Sequence, residues 1–175
     1  MKEKGKKLMI VAMGIVINVV GRYIANYFKL PIWFDMVGTV LVTYYVGLWG
    51  GIATGLANNI LSACYDVTAL LYGLTGVVAA LLMYRFIQRG YMNRLLKAVI
   101  SSFWLGVVCM LVSTPINIIF YDGYSGNIWG DALVDMLKWY DASDVVAALA
   151  GEAVVEIVDK QVCVLLTFLI IYLVE

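Results

Sequence analysis

The sequence predicts an all-α integral membrane protein: six transmembrane helices in one bundle, with a short amphipathic helix in the outer loop between the fifth and sixth. Three observations predict it. Of the 175 residues, 63% are hydrophobic and 14% charged, a balance far from that of an ordinary soluble domain. Apolar runs of about 20 residues, enough to cross a bilayer, recur along the chain. The charges between them sort by side. One set of ends holds Lys2, Lys4, Lys6, Lys7, Arg85, Arg89, Arg94 and Lys97. The other holds Asp35, Asp66, Asp122, Asp131, Asp135, Asp141 and Asp144, with only Lys29 and Lys138 as bases. This positive-inside pattern predicts a prokaryotic cell (inner) membrane protein, multi-pass, with both termini cytoplasmic.

A basic cytoplasmic tail, residues 1–7, leads into the first span, 8–28. That run continues through Asn18 and Arg22 to Phe28 with no small-x-small cleavage site, so a retained span is expected rather than a signal peptide. Lys29-Leu30-Pro31 turns it into a second span, 32–48. Gly47-Leu48-Trp49-Gly50-Gly51 turns that into a third, 50–67. Both are near the lower length limit, and tilt or partial insertion is expected there. The fourth span is 69–88, and Gln88 to Arg94 forms the basic loop to the fifth, 95–120. Within the fifth, Pro115 removes a backbone hydrogen bond and kinks the helix. The carbonyls freed near Asn117 either face a ligand or mark a plain packing kink.

Residues 121–144 form the extracellular loop. Asp122-Gly123-Tyr124-Ser125-Gly126 is a turn-forming cluster. Trp129, Leu133, Met136, Leu137 and Tyr140 then recur at helical spacing, opposite Asp131, Asp135 and Lys138. Asp141 and Asp144 provide a cap and first turn for the last span, 145–173. Residues 1–175 form a single domain.

The formal net charge is zero, which gives no support to a nucleic-acid partner. There is no histidine, the commonest metal ligand and general base, and no metal or cofactor is expected. Cys64, Cys109 and Cys163 lie in separate apolar runs without CxxC spacing and are expected to be small buried hydrophobes. An enzyme would need an activated nucleophile, a metal, or an acid and base within reach. Glu156, Asp159 and Lys160 are the sole catalytic candidates, so a non-enzyme is expected.

Charges within a bilayer are costly and mark a functional interior by default. Asn18 falls near the midplane of the first span and Arg22 in its outer third. Spacings of three and four put Glu152, Glu156, Asp159 and Lys160 on or beside one face of the last helix. Asn58, Asn59, Asp66 and Asn117 add polarity from the third and fifth spans. Two readings stand. In one, Glu156 neutralises Lys160 and Arg22 pairs with an acid such as Glu152, bracing the bundle. In the other, these groups line an outward-opening pocket beneath an aromatic loop. Trp33, Phe34, Tyr121, Tyr124 and Trp129 offer stacking surfaces, whereas Trp139 and Tyr140 read as an interfacial belt. The candidate substrate-binding set is therefore Asn18, Arg22, Trp33, Asn58, Asn117, Tyr124, Trp129, Glu152, Glu156, Asp159 and Lys160.

The chain resembles the substrate-binding S components of energy-coupling factor (ECF) transporters, the micronutrient importers of prokaryotes. Phe34-Asp35-Met36-Val37-Gly38-Thr39, followed by Tyr45-Val46-Gly47-Leu48-Trp49-Gly50-Gly51 and Gly55, is similar to the family's second and third helices around a glycine-rich hinge. Ser113-Thr114-Pro115-Ile116-Asn117 and Asp122-Gly123-Tyr124-Ser125-Gly126 resemble the fifth helix and its outer loop. Glu156-Ile157-Val158-Asp159-Lys160 resembles the last helix's acid-to-Asp-Lys signature. The resemblance implies high-affinity binding of a small water-soluble organic micronutrient: a vitamin, vitamin precursor or nucleobase-like heterocycle. It implies translocation by toppling in the bilayer, driven by a transmembrane T subunit and two ABC ATPase subunits. Contact with the T subunit is implied for small residues four apart on the first helix, where Ala12 with Val16 and Gly14 with Asn18 are the nearest candidates. The alternative is a membrane ligand-sensing module acting through a separate signalling partner.

Overall fold

Residues 2–64 and 67–174 are described in the structure, a computed structural model. Asp66, one of the acids assigned above to the outer side, lies outside the described residues. The described residues are helical with connecting turns: α1 (Lys2–Tyr27), α2 (Val37–Tyr45), α3 (Leu48–Ser62), α4 (Gly73–Gln88), α5 (Leu95–Tyr121), α6 (Ile128–Trp139) and α7 (Asp144–Val174). Short 3₁₀ turns at Val67–Leu70 and Tyr91–Asn93 precede α4 and α5.

Among the described residues, four stretches are long and apolar enough to cross a membrane: Glu3–Tyr27, Val67–Gln88, Leu95–Tyr121 and Asp144–Val174. Their outer faces are apolar and exposed, with Met13, Val20, Leu111, Ile119, Val154 and Leu169 among the side chains there. Such a surface is what lipid requires of a multi-pass protein and what water penalises. The second and third predicted spans are shorter than expected. Helix α2 has 9 residues and α3 has 15, so at about 1.5 Å per residue neither reaches the ~30 Å of a hydrocarbon core. The 32–48 run breaks because residues 33–36 form a loop tied to α7. Gly47, at φ 101°, then separates α2 from α3 in a conformation that only glycine adopts readily.

The short helix α2 is central, packed by α1, α3, α4 and α7, with every residue from Val37 to Thr43 buried. Because it begins inside the protein, its first N–H groups need partners from the protein itself. Asn18 of α1 supplies one. Its Oδ1 accepts from Gly38 N at 2.7 Å, and its Nδ2 donates to Thr39 Oγ1 at 2.9 Å. Around α2, Met36, Val40, Leu41, Met83, Leu105 and Cys109 form the core, joined by Cys163 and Val164 of α7.

Helices approach through glycine. A Cβ on Gly38 would fall 1.9 Å from Gly14 O, and one on Gly55 would fall 3.1 Å from Gly76 O. Gly130 of α6 and Gly151 of α7 meet in the same way. Helix α6 packs on α7 by the face that carries Gly130. Gly130 and Val134 are buried against α7, while Trp129, Met136 and Tyr140 are exposed. The small residue sets the contact, because only glycine lets α6 lie against α7 this closely.

Candidate ligand-binding cavity

The carboxyl-terminal halves of α1 and α3, the start of α4, the carboxyl-terminal end of α5 and the amino-terminal half of α7 meet at one end of the bundle. They enclose a cavity of about 1260 Å³. The opposite end carries Lys4, Lys6, Lys7, Arg85, Arg89 and Arg94.

The chain reverses from α1 into α2 over this cavity. Lys29 takes a left-handed conformation at φ 52°. Leu30 N returns to Ala25 O at 2.9 Å and Lys29 N to Asn26 O at 3.3 Å, which ends α1 in a Schellman turn. Phe34 is also left-handed, at φ 56°, an unfavourable conformation for a bulky residue. Asp159 of α7 holds it there: its Oδ1 accepts from Trp33 N at 3.1 Å and from Phe34 N at 2.7 Å. This loop delivers Trp33 and Asp35 to the cavity wall.

Two ion-pair groups form the floor. Arg22 donates from Nε, at 3.0 Å, and from Nη2 to Asp35 Oδ2, and Asn58 Nδ2 reaches the same oxygen at 3.2 Å. Lys160 Nζ lies 2.6 Å from Asp159 Oδ2 and 2.7 Å from Glu156 Oε2, all three side chains being buried. Arg22 therefore pairs with Asp35 rather than with Glu152.

Several buried polar atoms on the wall have no protein partner: Asn58 Oδ1, Asn59 Oδ1, Thr75 Oγ1, Tyr121 OH and Glu152 Oε2. Native interiors leave few polar groups unpaired, and five gather around this one cavity.

The roof is the 121–126 turn with Asp131. Asp131 Oδ1 accepts from Ser125 N at 2.8 Å, and its Oδ2 from Gly126 N at 3.1 Å. Tyr124 OH donates to Asp135 at 2.7 Å, while Lys138 Nζ lies 3.1 Å from Asp144 and 4.8 Å from the Tyr124 ring centre. The hydrogen bond to Asp135 raises the Tyr124 phenol above its ordinary pKa, and the bond to Asp144 raises Lys138.

Of the predicted site residues, Arg22, Trp33, Asn58, Tyr124, Glu152, Glu156 and Lys160 line the cavity. Asn18, Asn117, Trp129 and Asp159 do not. Asn18 caps α2 and Asp159 holds the 33–34 loop, both structural tasks. Asn117 Oδ1 accepts from Tyr72 OH at 2.5 Å. Trp129 is exposed on α6 and donates from Nε1 to Lys29 O at 2.8 Å, beside Asn127 Nδ2 on Leu30 O at 3.2 Å. It ties the roof to the 29–30 turn. Gly14 is buried against Gly38, which removes it from any partner-facing surface, whereas Ala12 and Val16 are exposed. Cys109 and Cys163 are core residues, but Cys64 is exposed at the cavity edge.

Asp35, Thr39, Tyr72, Thr75 and Asp131 also line the wall, outside the predicted substrate-binding set. Asp35 carried a readable signal: a lone arginine within the first span needs an acid, and Asp35 follows across one tight turn. No protein-family model, curated protein or solved structure matches the chain.

Proposed function

We propose that the chain binds a small water-soluble organic micronutrient and carries it across the membrane as the S component of an ECF-type ABC importer. The observation that carries this reading is the cavity itself: about 1260 Å³, walled by buried polar atoms without partners and rimmed by Trp33, Tyr72, Tyr121 and Tyr124. Ligand sites typically occupy ~300–1000 Å³, so a vitamin-sized heterocycle fits here with some water. Aromatic faces would stack on its ring while the floor orients its polar edges.

In this reading the cavity end faces outward and both termini are cytoplasmic, as the distribution of basic residues favours. The two short helices α2 and α3 count as the second and third of six crossings, α2 buried among the others and α3 with one apolar face exposed. The 121–144 segment is the outer loop and acts as a lid. Ala12 and Val16, exposed on the half of α1 away from the cavity, are the residues left to meet a T subunit. Two ABC ATPases would supply the energy.

The test is to purify the protein from cells grown in rich medium, denature it, and identify the released small molecule by mass spectrometry. A single stoichiometric organic compound is expected. Co-purification with ATPase subunits is expected as well, and association instead with a signalling protein would favour a sensor.

A further inference from the structure

The charges around this cavity do not balance. Asp35, Glu152 and Glu156 line it, with Asp159 buried behind them, set against Arg22 and Lys160. Both bases are already engaged, Arg22 with Asp35 and Lys160 with Asp159 and Glu156. Glu152 is left without a base and is only 2% exposed; the Ser113 and Asn117 side chains stand beside it, but its Oε2 is unpartnered. A buried carboxylate without a counter-charge is unfavourable.

The orphaned amide atoms point the same way. Asn58 Nδ2 faces an Asp35 oxygen and Asn59 Nδ2 faces the Gly55 carbonyl. Both of those partners only accept, so each amide orientation is fixed and each Oδ1 remains a free acceptor. These oxygens belong to side chains 2% and 6% exposed. A proton on Glu152 would remove its charge but would leave Asn58 and Asn59 without donors. One ligand group carrying both positive charge and several N–H bonds serves all three.

Resting on the binding function proposed above, we infer that the ligand is an organic cation whose charged nitrogen group carries at least two N–H donors. An amidinium, guanidinium, primary ammonium or protonated amino-heterocycle has this character. Glu152 is its counter-ion, and Asn58 and Asn59 receive the remaining N–H groups.

Three probes of one size separate charge from shape: benzamidinium, benzamide and benzoate, titrated calorimetrically into the purified full chain. Benzamidinium is expected to bind at least about tenfold more tightly than either other probe, as a desolvated charge pair does. Glu152→Gln should erase that ratio while leaving benzamide within about twofold, and Glu152→Asp should keep part of it. If Glu152→Gln does not fold, Asn59→Leu serves instead and should lower the benzamidinium preference severalfold.

Equal or tighter binding of benzoate or benzamide would overturn the inference. So would a folded Glu152→Gln protein with the wild-type ratio, or the absence of any probe binding. The compound released on denaturation distinguishes the two levels. A neutral or anionic compound overturns the cation and leaves the binding function standing. No released compound and no probe binding together would remove both.

Discussion

Single residues in this protein divide into those that hold the cavity and those that face it. Asn18 belongs to the first group. Asn18→Leu orphans Gly38 N and removes the donor to Thr39, at about 1–3 kcal/mol per stranded buried group. The expected result is a lower melting temperature in detergent, with affinity for any bound solute reduced only through loss of folded protein. Lys160 belongs to both groups. Lys160→Met leaves Glu156 and Asp159 as adjacent buried acids without their base, and breaking such a pair costs about 3–5 kcal/mol. Adding Glu156→Gln removes one of those charges, while Asp159 keeps the Trp33 and Phe34 N–H groups, so the double variant should regain most of the stability. Ligand affinity should not return with it. Recovery of both would make the pair a brace only, with recognition resting on Glu152 and Asn58.

At the scale of elements, contacts depend on what is missing as much as on what is present. Gly55 and Gly76 bring α3 and α4 together beneath the cavity wall. A Cβ at Gly55 already meets Gly76 backbone at 3.1–3.4 Å, so Gly55→Val forces the helices apart. A loss of about 1–3 kcal/mol is expected, visible as a lower melting temperature. The roof is held differently, by polar contacts at the surface. Tyr124 and Lys138 both have raised folded-state pKa values. Their contribution is therefore present at neutral pH and below the unfolded values, and is lost as pH rises through the folded ones. Hydrogen exchange of the 122–140 amides should stay protected relative to unfolded-peptide rates until strongly alkaline pH. Lys138→Met should remove the part of that dependence due to its bond with Asp144.

Much of this organisation was legible in sequence because helical periodicity is local. Glu152, Glu156 and Lys160 share one face of α7 by spacing alone, and the turns at Lys29-Leu30-Pro31 and Asp122–Gly126 fall where their residues suggest. What was not legible is tertiary. The 32–48 run is apolar but for Asp35, Thr39 and Thr43, and its pattern alone does not put the start of α2 at Val37, because the interruption is imposed by Asp159, more than a hundred residues away. That late start in turn makes Asn18 a cap rather than a ligand contact. Trp129 lies off the cavity for a related reason: Gly130 decides which face of α6 packs on α7.

At the scale of the whole molecule, the cavity and the basic residues lie at opposite ends of the bundle. Orientation therefore decides whether the site samples the outside medium or the cytoplasm. The cavity end is expected to face out, since basic loops are retained in the cytoplasm. Single cysteines report this directly once exposed Cys64 is replaced by serine to clear the background. Ser143, between α6 and α7, and Asn93, between α4 and α5, are exposed positions at the two ends. Ser143→Cys should react with a membrane-impermeant maleimide on intact cells, and Asn93→Cys only after permeabilisation. The reverse pattern would turn the cavity toward the cytoplasm and end the importer reading. Reaction of both on intact cells would mean that residues 94–142 do not cross the membrane an odd number of times, against the length and apolar character of α5.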